Sequence, residues 1–134
     1  MIVDSSALVA ILRREPGHEI YQDALETNSP VRISAANYFE TSIVIDSRRE
    51  FDLSMDFDRL MEGIGIQIEP VTPEHARIAR QAYRDYGRGS GHRANLNFGD
   101  CFTYALARDK REPVLFKGNG FQHTDLTSAV ASDQ

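Results

Sequence analysis

Four short apolar runs alternate with longer amphipathic stretches, and this alternation constrains the fold more than any other feature of the chain. The runs are Met1-Ile2-Val3, Val31-Arg32-Ile33, Ile64 to Val71 and Val114-Leu115-Phe116. Between them the patterning predicts helices over 7–14, 19–27, 35–49 and 52–63, then two more beginning at Pro73 and Phe98. Strands joined by helices run parallel, and a parallel sheet needs cover on both faces. The expected fold is α/β: a central, mostly parallel sheet of four to five short strands flanked by helices on both faces. Chemistry in such sheets sits beyond the carboxyl ends of the strands.

The helix starts are marked by their caps. Ser5 or Ser6 is placed to cap the first helix, which stops near Pro16-Gly17. Ile20, Ala24 and Leu25 share a side of the second. Ser34 caps the third, on which Ala36, Phe39, Ile43 and Ser47 share a face that includes Glu40. A glutamate there is expensive to bury unless something cationic meets it. Leu53, Phe57, Leu60 and Met61 form the inward stripe of the next. Thr72 caps the helix that Pro73 opens, with Glu74 in its first turn. Asn97 caps the last, which puts Asp100 near its third position, where the helix dipole favours a negative charge. Asp100 is thus either a cap partner or a metal ligand.

Length decides domain number: 134 residues suit one domain, 1–134, with one core. The longest apolar run, Ala7 to Leu12, is too short to span a bilayer, and Asp4 interrupts the region where a secretory signal needs its apolar core. A cytoplasmic protein with no membrane partner is expected. Cys101 is the single cysteine, which excludes an intrachain disulfide and a cysteine-rich zinc site. It reads as a small buried apolar residue. The scattered His18, His75, His92 and His123 suggest no zinc site.

Three carboxylates fall at one edge of the expected sheet. Asp4 ends the first strand, Glu40 lies in the helix after the second, and Asp100 opens the helix that leads to the last. Asp4 alone reads as a helix cap and Glu40 alone as a solvent-facing residue, but three acids at one edge repel one another without a cation. Mg²⁺ or Mn²⁺ suits such hard oxygen ligands. A metal so held activates water and stabilises a phosphate oxygen, and phosphodiester hydrolysis is the implied reaction class.

The chain resembles the PIN-domain ribonucleases of the VapC toxin family, from type II toxin–antitoxin systems, over nearly its whole length. The resemblance rests on Met1-Ile2-Val3-Asp4-Ser5-Ser6-Ala7-Leu8, Ser34-Ala35-Ala36-Asn37-Tyr38-Phe39-Glu40, Asn97-Phe98-Gly99-Asp100-Cys101 and Phe116-Lys117-Gly118-Asn119-Gly120-Phe121. It implies a PIN-like fold and a Mg²⁺-dependent endoribonuclease (a hydrolase of class 3.1), which cuts RNA by metal-activated water. Asp4 and Asp100 would be the principal metal ligands and Glu40 the third catalytic acid. Ser6 matches the family's hydroxyl beside the first aspartate. The resemblance also implies a cognate VapB-like antitoxin seated in a groove between N-terminal helices, a toxin homodimer, and a hetero-oligomer of the two. Family members often carry a fourth acid in the turn before Phe121. Here Asn119-Gly120 stands in its place, so Asn119 is a candidate contact to a metal-bound water or second cation, with Asp125 a weaker substitute.

Charge is segregated although the formal net charge is −5. Arg77, Arg80, Arg84, Arg88 and Arg93 form a basic stripe and loop leading toward Asp100, while the segment from Glu50 to Glu74 is acidic. The stripe is either an ordinary solvated face or a guide for RNA phosphates. Lys117 is a further candidate phosphate contact. Tyr83 and Tyr86 read as core rather than as stacking platforms. Two other readings stay open: a Mg²⁺-dependent phosphatase or phosphoacceptor domain, which would want a second Asp where Ser6 stands, and a non-catalytic RNA- or protein-binding relative.

Overall fold

A computed structural model describes residues 1–131. Strands β1 (Ile2–Val3), β2 (Arg32–Ser34), β3 (Gln67–Glu69) and β4 (Val114–Leu115) form one sheet in the order β3-β2-β1-β4, with every pairing parallel. Helices α1 (Ser5–Leu12) and α2 (His18–Thr27) connect β1 to β2. Helices α3 (Ala35–Asp46) and α4 (Phe51–Ile64) connect β2 to β3, and α5 (Pro73–Tyr86) and α6 (Phe98–Lys110) connect β3 to β4.

Alternation along the strands divides the core between the two faces. Val3, Ile33 and Leu115 pack with Leu8 and Ile11 of α1, Leu25 of α2, Ile45 of α3 and Phe57 of α4. Ile2 and Val114 point the other way, onto Leu106 and Ala107 of α6. Helix α5 covers α6 through Ala79 and Ala82 against Tyr104 and Ala105. The chain therefore moves outward from β1 to β3 and returns to the far side of β1 for β4. That reversal opens a crevice at the carboxyl ends of β1 and β4. The backbone after β4 continues alongside it, with Val114 N–H donating to Thr127 O (2.9 Å) and Ala129 N–H to Val114 O (2.8 Å), which pairs the edge of β4.

Several elements differ from the sequence expectation. Of the two cap readings, Ser5 or Ser6 and Asp4, the structure takes Asp4: its carboxylate accepts from the Ser6 N–H at 3.0 Å. Helix α3 ends at Asp46 and presents the opposite face inward. Asn37, Thr41 and Ile45 are buried, while Phe39 and Ile43 are 66% and 52% exposed. Apolar spacing misleads there because the inner face is polar: Asn37 Nδ2 donates to Gly99 O and Thr41 Oγ1 to Asn37 O, while the buried Asn37 Oδ1 meets no donor among the described residues. Strand β3 is shorter than the run from Ile64 to Val71. It lies at the sheet edge, so Ile68 is exposed while Ile66, just before it, is buried. Ile20 and Tyr83 are also exposed, and Tyr83 is not core. Tyr86 is half-buried, packed against Tyr104 and His92. Among the described residues no helix is long and apolar enough to cross a membrane.

Candidate functional site

Asp4 lies at the crevice because β1 ends there. Its backbone N–H donates to Leu115 O of β4 at 2.9 Å, and its carbonyl starts α1 by accepting from Ala7 N–H at 3.1 Å. The carboxylate is 4% exposed and takes three donors: Thr103 Oγ1 to Oδ1 at 2.6 Å, and Ser6 Oγ (2.6 Å) and Ser6 N–H (3.0 Å) to Oδ2. Ser6 Oγ in turn accepts from Lys117 N–H at 3.0 Å, which links the ends of β1 and β4.

Asp100 arrives through a capping box. Asn97 Oδ1 accepts from Asp100 N–H at 2.8 Å, and Asp100 Oδ2 accepts from Asn97 N–H at 2.9 Å. Asp100 is a cap partner through Oδ2, and it also lines the cavity, which leaves Oδ1 for the metal-ligand role. Burial, chiefly, together with the negative charges of Asp4 and Glu40, pushes its carboxyl up to about 6. The Asn97 N–H and the Arg88 charge pull in the other direction.

Glu40 is half-exposed, on the border between the two faces of α3. A cation does not meet it: Ser5 Oγ donates to Oε1 at 2.7 Å, and Asn37 Nδ2 reaches the same oxygen at 3.4 Å. Asn37, fully buried, also donates to Gly99 O at 2.9 Å and so ties α3 to the start of α6. The absence of a side chain at Gly99 leaves room for the Glu40 carboxylate, since a Cβ there would overlap Oε2 and lie 2.7 Å from the carboxyl carbon, and Glu40 would have to shift.

Asp4, Glu40 and Asp100 line one open cavity of about 410 Å³, with Ser5, Ser6, Glu15, Asn97 and Lys117. Among the described residues no three acidic, histidine or cysteine side chains converge tightly enough to enclose an ion as they stand. The fit to a divalent cation is therefore one of chemistry rather than of chelating geometry. The donors are hard oxygens, Glu40 Oε2 and Asp100 Oδ1 accept from no described donor, and the burial and neighbouring negative charges that raise Asp100 are what a bound dication offsets.

The remaining candidates divide. All five arginines are exposed; Arg88 is close enough to act on Asp100, and Arg77 lies 3.4 Å from Glu74. Lys117 lines the cavity but its ammonium sits on Glu15 at 2.7 Å. Asn119 lines a different cavity, with Ile20, Tyr21 and Gln122. Asp125 is elsewhere too, accepting from Tyr104 Oη (2.7 Å) and Arg108 (2.8 Å). Cys101 is buried, and burial pushes its thiol up to about 11, which leaves it inert as a nucleophile. Sequence reading missed Thr103, Asn37, Ser5 and Glu15. Thr103 sits three residues beyond Asp100, but nothing local says which carboxylate its hydroxyl serves.

Comparison with known proteins gives a consistent result. The PIN domain family matches residues 1–126. The Mycobacterium tuberculosis ribonuclease VapC28 is 54% identical over 130 residues, covering 97% of this chain and 98% of the relative. Ribonuclease VapC42 of the same organism is 50% identical over 129 residues, with 96% and 98% covered. Among solved structures, M. tuberculosis VapC20, a sarcin–ricin loop cleaving toxin, superposes with a TM-score of 0.71 at 19% identity, over 94% of this chain and 95% of that one. FitAcB from Neisseria gonorrhoeae superposes with a TM-score of 0.69 at 19% identity, with 96% of each covered. At that identity these two show the fold alone.

Proposed function

Since the chain belongs to the PIN-domain family of VapC ribonucleases, we propose that it is a Mg²⁺- or Mn²⁺-dependent endoribonuclease, the toxin of a VapBC-like pair, with its active site at Asp4, Glu40 and Asp100. The observation that carries this reading is the single cavity these three acids share at the carboxyl ends of β1 and β4. Asp4 and Asp100 would hold the cation, with Glu40 beside them. Such an ion supplies an activated water and charge neutralisation at the scissile phosphate. The chain's own part is positioning: Thr103 and Ser6 fix the Asp4 carboxylate, Asn97 fixes Asp100, and Ser5 with Asn37 fixes Glu40. Arg88 is the arginine best placed to meet incoming RNA. The direct test is cleavage of single-stranded RNA in Mg²⁺ or Mn²⁺, and its loss in EDTA. Cutting that proceeds equally in EDTA rules the mechanism out.

Two changes probe the supporting residues. Thr103→Val keeps the shape of a fully buried side chain and deletes the hydroxyl donor to Asp4. Divalent-ion affinity is expected to fall about 10–100-fold, with about 1 kcal/mol of stability lost, read by Mn²⁺ titration and thermal melts. Gly99→Ala is expected to keep or slightly raise stability, because alanine favours helix. Its methyl displaces the Glu40 carboxylate, so RNA cleavage should fall about tenfold or more. An alanine variant that cuts normally would show that Glu40 placement is irrelevant.

The antitoxin and homodimer belong to the same proposal. A groove of about 520 Å³ lies between α1, α2 and α4, with Ile11, Leu12 and Leu60 flanked by Arg14, Asp23, Asp56 and Arg59, and is the surface on which an antitoxin segment carrying both apolar and charged side chains would seat. Light scattering of the chain, alone and with a co-expressed neighbouring-frame protein, tests both associations.

A further inference from the structure

The cavity holds a fourth acid that the metal reading does not use. Glu15 follows α1, and its Oε1 takes the Lys117 ammonium at 2.7 Å. Among the described residues lining the cavity, Lys117 supplies the only positive charge, against Asp4, Glu15, Glu40 and Asp100. Its backbone is pinned, since Lys117 N–H donates to Ser6 Oγ and Ser6 Oγ to Asp4 Oδ2. The stem can still turn. Both partners are about a third exposed, at 35% for Lys117 and 31% for Glu15. An ion pair this open is weak and exchangeable, and a lysine ammonium is a point charge on a flexible stem.

We propose that Glu15 is a positioning residue that holds the Lys117 ammonium away from the phosphate position, and that Lys117 moves from Glu15 to an RNA phosphate when substrate enters. The pair thereby sets how strongly the acidic cavity accepts RNA. Before RNA arrives, Glu15 cancels the one positive charge among the residues that line the cavity, leaving Arg88 at its edge. A phosphate competing for the same ammonium releases it, and Glu15 is left to water. This inference rests on the RNA-cleaving reading of the cavity.

The test is equilibrium binding of the full chain to a mixed-sequence single-stranded RNA oligonucleotide, in Ca²⁺ buffer across a salt series. Glu15→Gln is expected to bind about threefold or more tightly, because it frees the ammonium and removes a repelling charge. Lys117→Met should bind about 3–10-fold more weakly, with the magnitude of the slope of log K against log salt reduced by about 0.7, one single-strand phosphate contact. Lys117→Arg should restore both. In the Lys117→Met background, Glu15→Gln should lose most of its effect, and Mn²⁺ affinity should stay within about twofold of wild type in Glu15→Gln. Binding unchanged or weakened by Glu15→Gln overturns the proposal. So does equal tightening with and without Lys117, which would make Glu15 a simple repelling charge. A tenfold or greater loss of Mn²⁺ affinity would make it a metal ligand instead. Wild-type protein that never cuts RNA removes the functional reading and this inference together. Wild-type protein that cuts, with variants that behave as in the overturning cases, removes only the inference.

Discussion

Asp4→Asn is expected to lower RNA cleavage by more than about a hundredfold while the protein stays folded. Substituting residues that merely orient a metal ligand costs about 10–100-fold, so replacing a ligand itself should cost more. The fold should survive because asparagine is a good N-cap. Its one oxygen can still take the Ser6 N–H or the Thr103 hydroxyl, and a hydroxyl facing the new amide can rotate to accept. The loss in stability should be about 1 kcal/mol, a few degrees in Tm. Cleavage of end-labelled RNA in Mg²⁺ and a thermal melt of the same preparation check the two halves separately. Cleavage within threefold of wild type would remove Asp4 from the mechanism, whatever the melt shows.

The second large effect concerns pH and metal together. Asp100 is pushed to about 6, mostly by burial and then by Asp4 and Glu40, from the ordinary aspartate value of 3.8. Between those values the folded chain binds the proton more tightly than the unfolded chain. Stability is therefore present in full below about pH 4 and is lost as pH rises through about 6. At about 1.4 kcal/mol per unit, discounted for partial exposure, the loss comes to about 2 kcal/mol. In EDTA, wild-type Tm should fall by several degrees from pH 5 to pH 7 relative to Asp100→Asn. That variant cannot ionise and keeps an oxygen for the Asn97 N–H. Mg²⁺ at pH 7 should return the lost stability to wild type and do little for Asp100→Asn. Parallel curves for the two proteins between pH 5 and 7 would mean that neither burial nor the neighbouring carboxylates penalise the Asp100 charge at this site.

Glu112 and Asp109 titrate in the opposite sense. Both are held below the usual carboxylate range, Asp109 by its hydrogen bond from His75 and Glu112 by the chain's amino group and Arg32 against its own burial. Their stabilisation is lost as pH falls below about 4, outside the window in which Asp100 acts. The comparison of wild type with Asp100→Asn is therefore free of them.

Local chemistry in the sequence carried much of the architecture. Short apolar runs separated by helices allow little else than a covered parallel sheet, and capping residues are read from a few neighbours. Ser34, Thr72 and Asn97 cap the helices they were expected to cap, because a cap is a contact within one turn. Asp4, Glu40 and Asp100 were legible as a set for a related reason: Asp4 ends β1, Asp100 lies in the first turn of α6 and Glu40 lies within the helix that follows β2, and topology brings these to one edge.

Tertiary structure decided what periodicity cannot. Which face of α3 turns inward depends on Gly99, 62 residues beyond Asn37, offering a carbonyl to its amide. The Thr103 hydroxyl serves Asp4 from 99 residues away, and Lys117 meets Glu15 across 102. Asn119 and Asp125 are near the site along the chain yet line other cavities. The order of residues fixes which backbone groups and side chains must find partners nearby. Hydrogen bonds and ion pairs between distant segments depend on how strands and helices stack in three dimensions, and no local pattern encodes that.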